Sequence, residues 1–331
     1  MNALASALLH FLWQGAAIAA VYGALRWMFP AARARYALGC LALAAMAVAP
    51  AATLLVGGTA SGLAEGAAVG PAARPWTAYV VPAWLLGVSF FSLRLAGGLW
   101  TLRRRLRCAV ELPEPIRARV RALLGGAPVR VLVSKAVDAP ALVAWWRPAI
   151  LLPVSAVTGL PPELLEALVL HELAHWMRRD HWVNLLQCVL ETVLFYHPAV
   201  WWVSDHVRKD REFCCDDLAV RLCGGEVVMY TKALLWLEEQ RAHDAALALP
   251  ANGGRLGPRV RRLLAPSRAS SSYWASVPVF AALLLVAVLF YGPPASAQPR
   301  AAAPPPGHRG DRGPGRAARG DARARSRAPG S

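Results

Sequence analysis

Charge is scarce in this chain. Of its 331 residues only 17% are charged, where an ordinary soluble domain carries about 25%, and 56% are hydrophobic. A single compact soluble domain is disfavoured on that count, and the abundance of apolar material excludes disorder of the whole chain. Cysteine is sparse as well: six in 331 residues cannot staple a small disulfide scaffold. Lysine is nearly missing, with Lys135, Lys209 and Lys232 alone, so arginine carries the formal charge of +16. An arginine excess beside so much alanine, glycine and proline fits a GC-rich genome as well as it fits phosphate binding, which weakens a nucleic-acid reading. No basic residue precedes the first apolar run, and that run outlasts the ~7–15 apolar residues of a leader, so a cleaved signal peptide is not expected.

Apolar runs dominate what is present. Residues 3–25 and 36–58 hold no charge, 76–101 hold only Arg94, and 273–291 form a fourth run. Each is close to or above the roughly 18–20 residues that cross a bilayer as helix. Arginine placement orients them. Arg26, Arg33 and Arg35 lie between the first two runs, Arg103, Arg104, Arg105 and Arg107 follow the third, and Arg255, Arg259, Arg261, Arg262 and Arg268 precede the fourth. The consistent solution is a multi-pass α-helical membrane protein with four spans. Its N-terminus and C-terminus lie outside, and residues 102–272 form a cytoplasmic domain. Residues 292–331 are rich in Arg, Pro, Gly and Ala, and from residue 300 onward they contain no aromatic or branched aliphatic residue; the segment reads as a disordered outer tail.

The chemistry is expected in 102–272. His171-Glu172-Leu173-Ala174-His175 matches H-E-x-x-H, and about 0.006 such matches are expected by chance from this composition. Pro161 and Pro162 precede it, and Leu164, Leu165, Leu168 and Val169 recur at helical spacing, so the motif sits on a helix. On a helix, residues i and i+4 share a face, and two imidazoles one turn apart can bind one Zn²⁺. Glu172, on the adjacent flank, is placed to take a proton from the attacking water. A catalytic zinc takes three protein ligands. Glu212 supplies the third, completing a His₂Glu set, and Asp216, one turn on, could hold a ligand histidine through its second ring nitrogen. Taken alone, this acidic pair reads more readily as a solvated helix face; beside H-E-x-x-H the ligand reading is favoured.

Cys214 and Cys215 are adjacent and cannot both face one metal from a regular helix, and all six cysteines read as free thiols. Residues 129–133, 141–146 and 148–153 read as strands, and the strand just before the H-E-x-x-H helix could offer an edge to an extended peptide or belong to an ordinary β-hairpin. Residues 182–203 are apolar enough for a fifth span, but Asn184, Gln187, Glu191 and His197 interrupt them. Crossing would also part Glu212 from His171. A helix packed in the domain or lying on the membrane surface, broken at Pro198, is expected instead.

Several motifs together resemble one family, the BlaR/MecR-type integral-membrane zinc metallopeptidases. They are His171 to His175 with Arg178-Arg179-Asp180 and Asn184, His197-Pro198 with Trp201-Trp202, and Arg211-Glu212 with Cys215-Asp216. Upstream, residues 147–153 and Phe11-Leu12-Trp13-Gln14-Gly15 are also similar to the family, as is the stretch 259–264. The resemblance implies a gluzincin-like, mainly α domain with a small β-sheet, lodged between spans three and four of a bacterial cell membrane. It implies one zinc on His171, His175 and Glu212, with Glu172 as general base. The implied substrate is a cytoplasmic protein such as a DNA-binding repressor, cut in response to an outer sensor. No Ser-x-x-Lys box or packed domain is read after the fourth span, so direct acylation by a β-lactam is not expected.

Three other readings stay open. A membrane quality-control or prenyl-protein-type zinc protease shares H-E-x-x-H and a later E-x-x-x-D. A non-catalytic transducer would have no need of Glu172. Nucleic-acid binding through the arginine-rich tail is undercut by the tail's placement outside and by the lack of any aromatic residue there to stack on bases, so no direct nucleic-acid binding is expected. The assembly is left open, a homodimer among the options.

Overall fold

The computed structural model describes residues 3–63, 75–143, 148–245 and 256–265. The first three apolar runs become long helices: α1 (Ala3–Met28), α2 (Ala32–Leu63) and α3 (Val80–Arg107), the last entered through a 3-10 turn at Pro75–Tyr79. Ala3–Met28, Ala32–Leu55 and Thr77–Arg107 are each long and apolar enough to cross a membrane. The expected fourth span, 273–291, and the tail lie outside the described residues. The expected boundary at 101/102 falls inside α3, because the arginines from Arg103 onward continue the helix rather than end it.

Beyond α3 the chain forms β1 (Val110–Glu111), α4 (Ile116–Leu123), β2 (Arg130–Ser134), β3 (Ala141–Val143), β4 (Ala149–Pro153) and α5 (Val154–Gly159). Then follow α6 (Pro162–Met177), α7 (Asp180–Val193), α8 (Pro198–Leu222), α9 (Val227–Ala245) and α10 (Leu256–Leu264). The four strands make one sheet in the order β1-β2-β4-β3, with β2 and β4 parallel and the outer pairs antiparallel. Every residue of β4 is buried, as a strand covered on both faces requires. Ile150 and Leu152 pack toward α6 and α9 with Leu165, Leu168 and Tyr230. Leu151 and Ala149 face the other way, against Leu102 and Leu106 at the end of α3. The expected strand at 129–133 lies one residue later, that at 141–146 is described as far as Val143, and β1 had no apolar run to announce it.

A second core joins α1 and α2 to α7 and α8 through Phe11, Tyr22, Met46, Leu190, Val203 and Val207. Helix α8 belongs to both cores: Val200, Val203 and Val207 in its first half face α1 and α2, whereas Ala219 near its end lies in the sheet core. Its 25 residues span about 37 Å at 1.5 Å each.

The helix expected over 182–203 with a break at Pro198 is present as two helices, α7 and the start of α8, which form a hairpin around a bend at 194–197. Pro198 opens α8, where its missing N–H costs nothing. The hairpin runs along the apolar helices rather than within the sheet domain. At its tip the Tyr196 hydroxyl donates to the Leu8 carbonyl at 3.1 Å, and the Trp84 indole of α3 donates to the Val193 carbonyl at 2.8 Å. His197 caps α8 by accepting from the Ala199 N–H, while its Nε2 lies 2.9 Å from the Leu12 carbonyl. The polar residues that argued against burial beside the spans are satisfied inside the hairpin. The Gln187 amide donates to Ser204, and Glu191 accepts from Ser204 and from Arg208. Polar side chains that face a partner helix cost far less than their sequence suggests.

Close approach here depends on glycine. A Cβ at Gly39 would stand 2.4 Å from Val207 Cγ2, and at Gly15 it would stand 2.7 Å from His197 Nε2. Gly39→Val is therefore expected to cost about 1–3 kcal/mol by overpacking. The cost is read as a lowered thermal midpoint of the detergent-solubilised protein.

Candidate metal centre

Pro161 and Pro162 start α6 without wasting a backbone donor, and the helix then runs unbroken through the H-E-x-x-H residues. His171 and His175 lie on one face with ring centroids 4.9 Å apart, and Glu172 is buried beside them. Helix α8 packs on α6 and brings Glu212 up to both rings. Glu212 Oε2 is 3.6 Å from His171 Nε2, and Oε1 is 3.8 Å from His175 Nε2. Two ligands of one tetrahedral zinc at about 2.1 Å stand about 3.4 Å apart. Three donors of the right types thus converge at nearly that spacing, all within 4.8 Å of one another.

The far side of each ring is held. His171 Nδ1 lies 2.8 Å from the Tyr230 hydroxyl, which in turn donates to Asp216 Oδ1 at 2.6 Å. With its proton spent on Asp216, that hydroxyl accepts from His171 Nδ1–H and leaves Nε2 as the lone-pair nitrogen. Asp216 thus reaches His171 mainly through Tyr230, its own carboxylate being 3.6 Å from Nδ1. Asp216 has no solvent exposure and is gripped by the Arg259 guanidinium, Nε to Oδ2 at 2.9 Å and Nη2 to Oδ1 at 2.5 Å. On the other histidine, Nδ1 meets Asp180 Oδ2 at 3.0 Å, which points its Nε2 at Glu212 in the same way. Asp180 also accepts from the Cys215 thiol at 3.0 Å and from Arg178 at 3.3 Å.

Charge follows from this geometry. Burial raises the Glu212 carboxyl, but the ring of His171, the charge of His175 and that of Arg259 together hold it well below the usual range. Burial works against a charged His175, yet its bond to Asp180 and the nearby Glu212 and Glu172 carboxylates lift its pKa above the ordinary value. Burial pushes the Cys215 thiol far up, with Asp180 adding to it, so it is an uncharged donor and no thiolate ligand. The sequence pattern pointed to His171, Glu172, His175, Glu212 and Asp216, and the structure brings them together. It did not single out Tyr230 or Arg259, or the part played by Asp180. Tyr230 is a single tyrosine on α9, Arg259 is one arginine of several, and Asp180 carried a signal only as part of Arg178-Arg179-Asp180.

Comparison with known proteins places the chain in a family. Residues 55–263, well over half of the chain, match the family model of the BlaR1 peptidase M56. Over 90 residues, 25% of this chain, the sequence is 31% identical to the regulatory protein BlaR1 of Bacillus licheniformis. That match covers 15% of the relative's length. The family is one of metallopeptidases, which implies a metal, and the apolar helices make the protein a membrane protein. The chain belongs to the BlaR1 peptidase M56 family.

Proposed function

We propose that this protein is a membrane zinc endopeptidase of signal transduction, cutting a cytoplasmic protein such as a transcriptional repressor. The observation that carries the reading is the convergence of His171 Nε2, His175 Nε2 and the Glu212 carboxylate beside Glu172. These residues suit zinc: two imidazoles with the other nitrogen tied down, and one carboxylate. A bound zinc would polarise the scissile carbonyl and make water a nucleophile near neutral pH. Glu172 takes the proton of the attacking water and passes it to the departing amine. The strand just before α6, β4, is paired on both sides and offers no edge; among the described strands β3 is an outer one beside α6, and an extended substrate would pair along its outer side. With the arginine-rich ends of α1, α2 and α3 inside, the site faces the cytoplasm.

Metal analysis of the purified full-length chain is expected to give one zinc per molecule. A substoichiometric value after zinc-replete purification would sink the reading. Glu172→Gln expressed in the native host is expected to trap one dominant cytoplasmic protein; a broad set of misfolded membrane proteins would point to quality control. Tyr230→Phe removes the hydroxyl between His171 and Asp216. It is expected to weaken zinc about 10–100-fold in competition with a chromophoric chelator, the usual cost of losing such a partner.

A further inference from the structure

The turn between α1 and α2 reaches the metal centre at two points. Tyr36, in the first turns of α2, donates its hydroxyl to Asp180 Oδ1 at 3.3 Å. The other oxygen of that carboxylate holds His175 Nδ1. The Tyr36 ring also lies under the Arg178 guanidinium, 5.0 Å from its centroid, and Arg178 is itself a partner of Asp180. Arg26 at the end of α1 and Arg35 at the start of α2 pair with Asp210 of α8, which has no solvent exposure and stands two residues before Glu212. His175 is therefore braced from the α1–α2 turn, and the stretch of α8 that carries Glu212 is anchored to that turn at Asp210, whereas His171 is braced by α9 and α10. The residues matched to the family, 55–263, begin after this turn.

We propose that the α1–α2 turn is a working part of the metal centre, with Tyr36 as a positioning residue that sets His175 through Asp180. This deepens the proposed function and rests on it. The chemistry is specific. Asp180 has His175, Cys215 and Arg178 on one oxygen and Tyr36 on the other. The Tyr36 hydroxyl thus fixes the rotation of the carboxylate about its own axis. That rotation aims the oxygen that holds the His175 ring. The metal affinity of the site accordingly depends on where α2 sits.

The test uses the full chain in nanodiscs and zinc alone, with affinity read by chelator competition and no substrate present. Tyr36→Phe keeps the ring under Arg178 and removes one oxygen; zinc affinity is expected to fall about tenfold. Asp180→Asn should weaken zinc at least as much, and the Tyr36→Phe/Asp180→Asn double variant should be no worse than Asp180→Asn alone, because both act along one path. Arg178→Gln, which leaves Tyr36 in place and drops another grip on Asp180, is the second variant and should weaken zinc in the same direction. Tyr196→Phe, which removes a hydroxyl at the far end of the hairpin, should leave zinc affinity unchanged. A wild type that holds zinc while Tyr36→Phe binds it within twofold as tightly overturns the inference and spares the functional reading. Losses that multiply in the double variant overturn it too. A wild type without zinc overturns both.

Discussion

Glu172→Gln is expected to bind as much zinc as the wild type and to lose peptide-bond cleavage by about 10²–10⁴-fold, the range a positioned general base contributes. The two halves of that expectation come from different features. Metal content should persist because the three ligand side chains, and the Tyr230–Asp216 and Asp180 contacts behind the two rings, are untouched. Glutamine matches glutamate in shape, so the buried pocket beside His171 stays filled. Turnover should collapse because an amide cannot accept the proton of the attacking water. The measurement is single-turnover cleavage of the trapped substrate with zinc counted on the same sample. Equal cleavage by the variant would remove Glu172 from the mechanism. Loss of zinc together with cleavage would instead make Glu172 part of the metal's support. Substrate affinity should hold, so that the loss appears in kcat rather than in KM.

The helix that carries the H-E-x-x-H residues was legible because its information is local. Two prolines, an apolar repeat and an i, i+4 pair of histidines fix both the element and the face. Glu212 was within reach for a similar reason, since the same i, i+4 spacing links it to Asp216 on α8. What holds these residues was not legible. Tyr230 lies 59 positions from His171, Arg259 lies 43 from Asp216, and Tyr36 lies 144 from Asp180. No spacing rule connects such pairs, and a lone tyrosine or one arginine among many carries no signal by type. The break at Pro198 was legible, but the packing of α7 against α8 was not, for a related reason. Gln187 and Glu191 count as interruptions along one helix, and only the partner helix, with Ser204 and Arg208 facing them, turns them into an internal seam. Nor does a local pattern show that one helix, α8, serves both cores.

Arg259→Met is expected to destabilise the folded protein by about 3–5 kcal/mol, the cost of breaking a buried ion pair from one side. Asp216 has no solvent exposure, and without the guanidinium the Tyr230 hydroxyl would be its one remaining hydrogen-bond donor among the described residues, with His171 Nδ1 3.6 Å away. Methionine roughly fills the space, so the loss should come from the uncompensated carboxylate rather than from a void. Lysine is no substitute here, since one ammonium cannot make the paired contacts from Nε and Nη2 to the two carboxylate oxygens. The discriminating variant is the double Arg259→Met/Asp216→Asn. Asparagine removes the stranded charge yet still accepts from Tyr230, so most of the lost thermal midpoint should return. Zinc affinity should recover with it, because the Tyr230 hydroxyl is again committed as a donor and His171 keeps its proton on Nδ1. A double variant less stable than Arg259→Met alone would mean that Arg259 acts through Glu212, 3.5 Å from its Nη1, rather than through Asp216. The two outcomes separate a residue that balances a buried charge from one that balances a metal ligand.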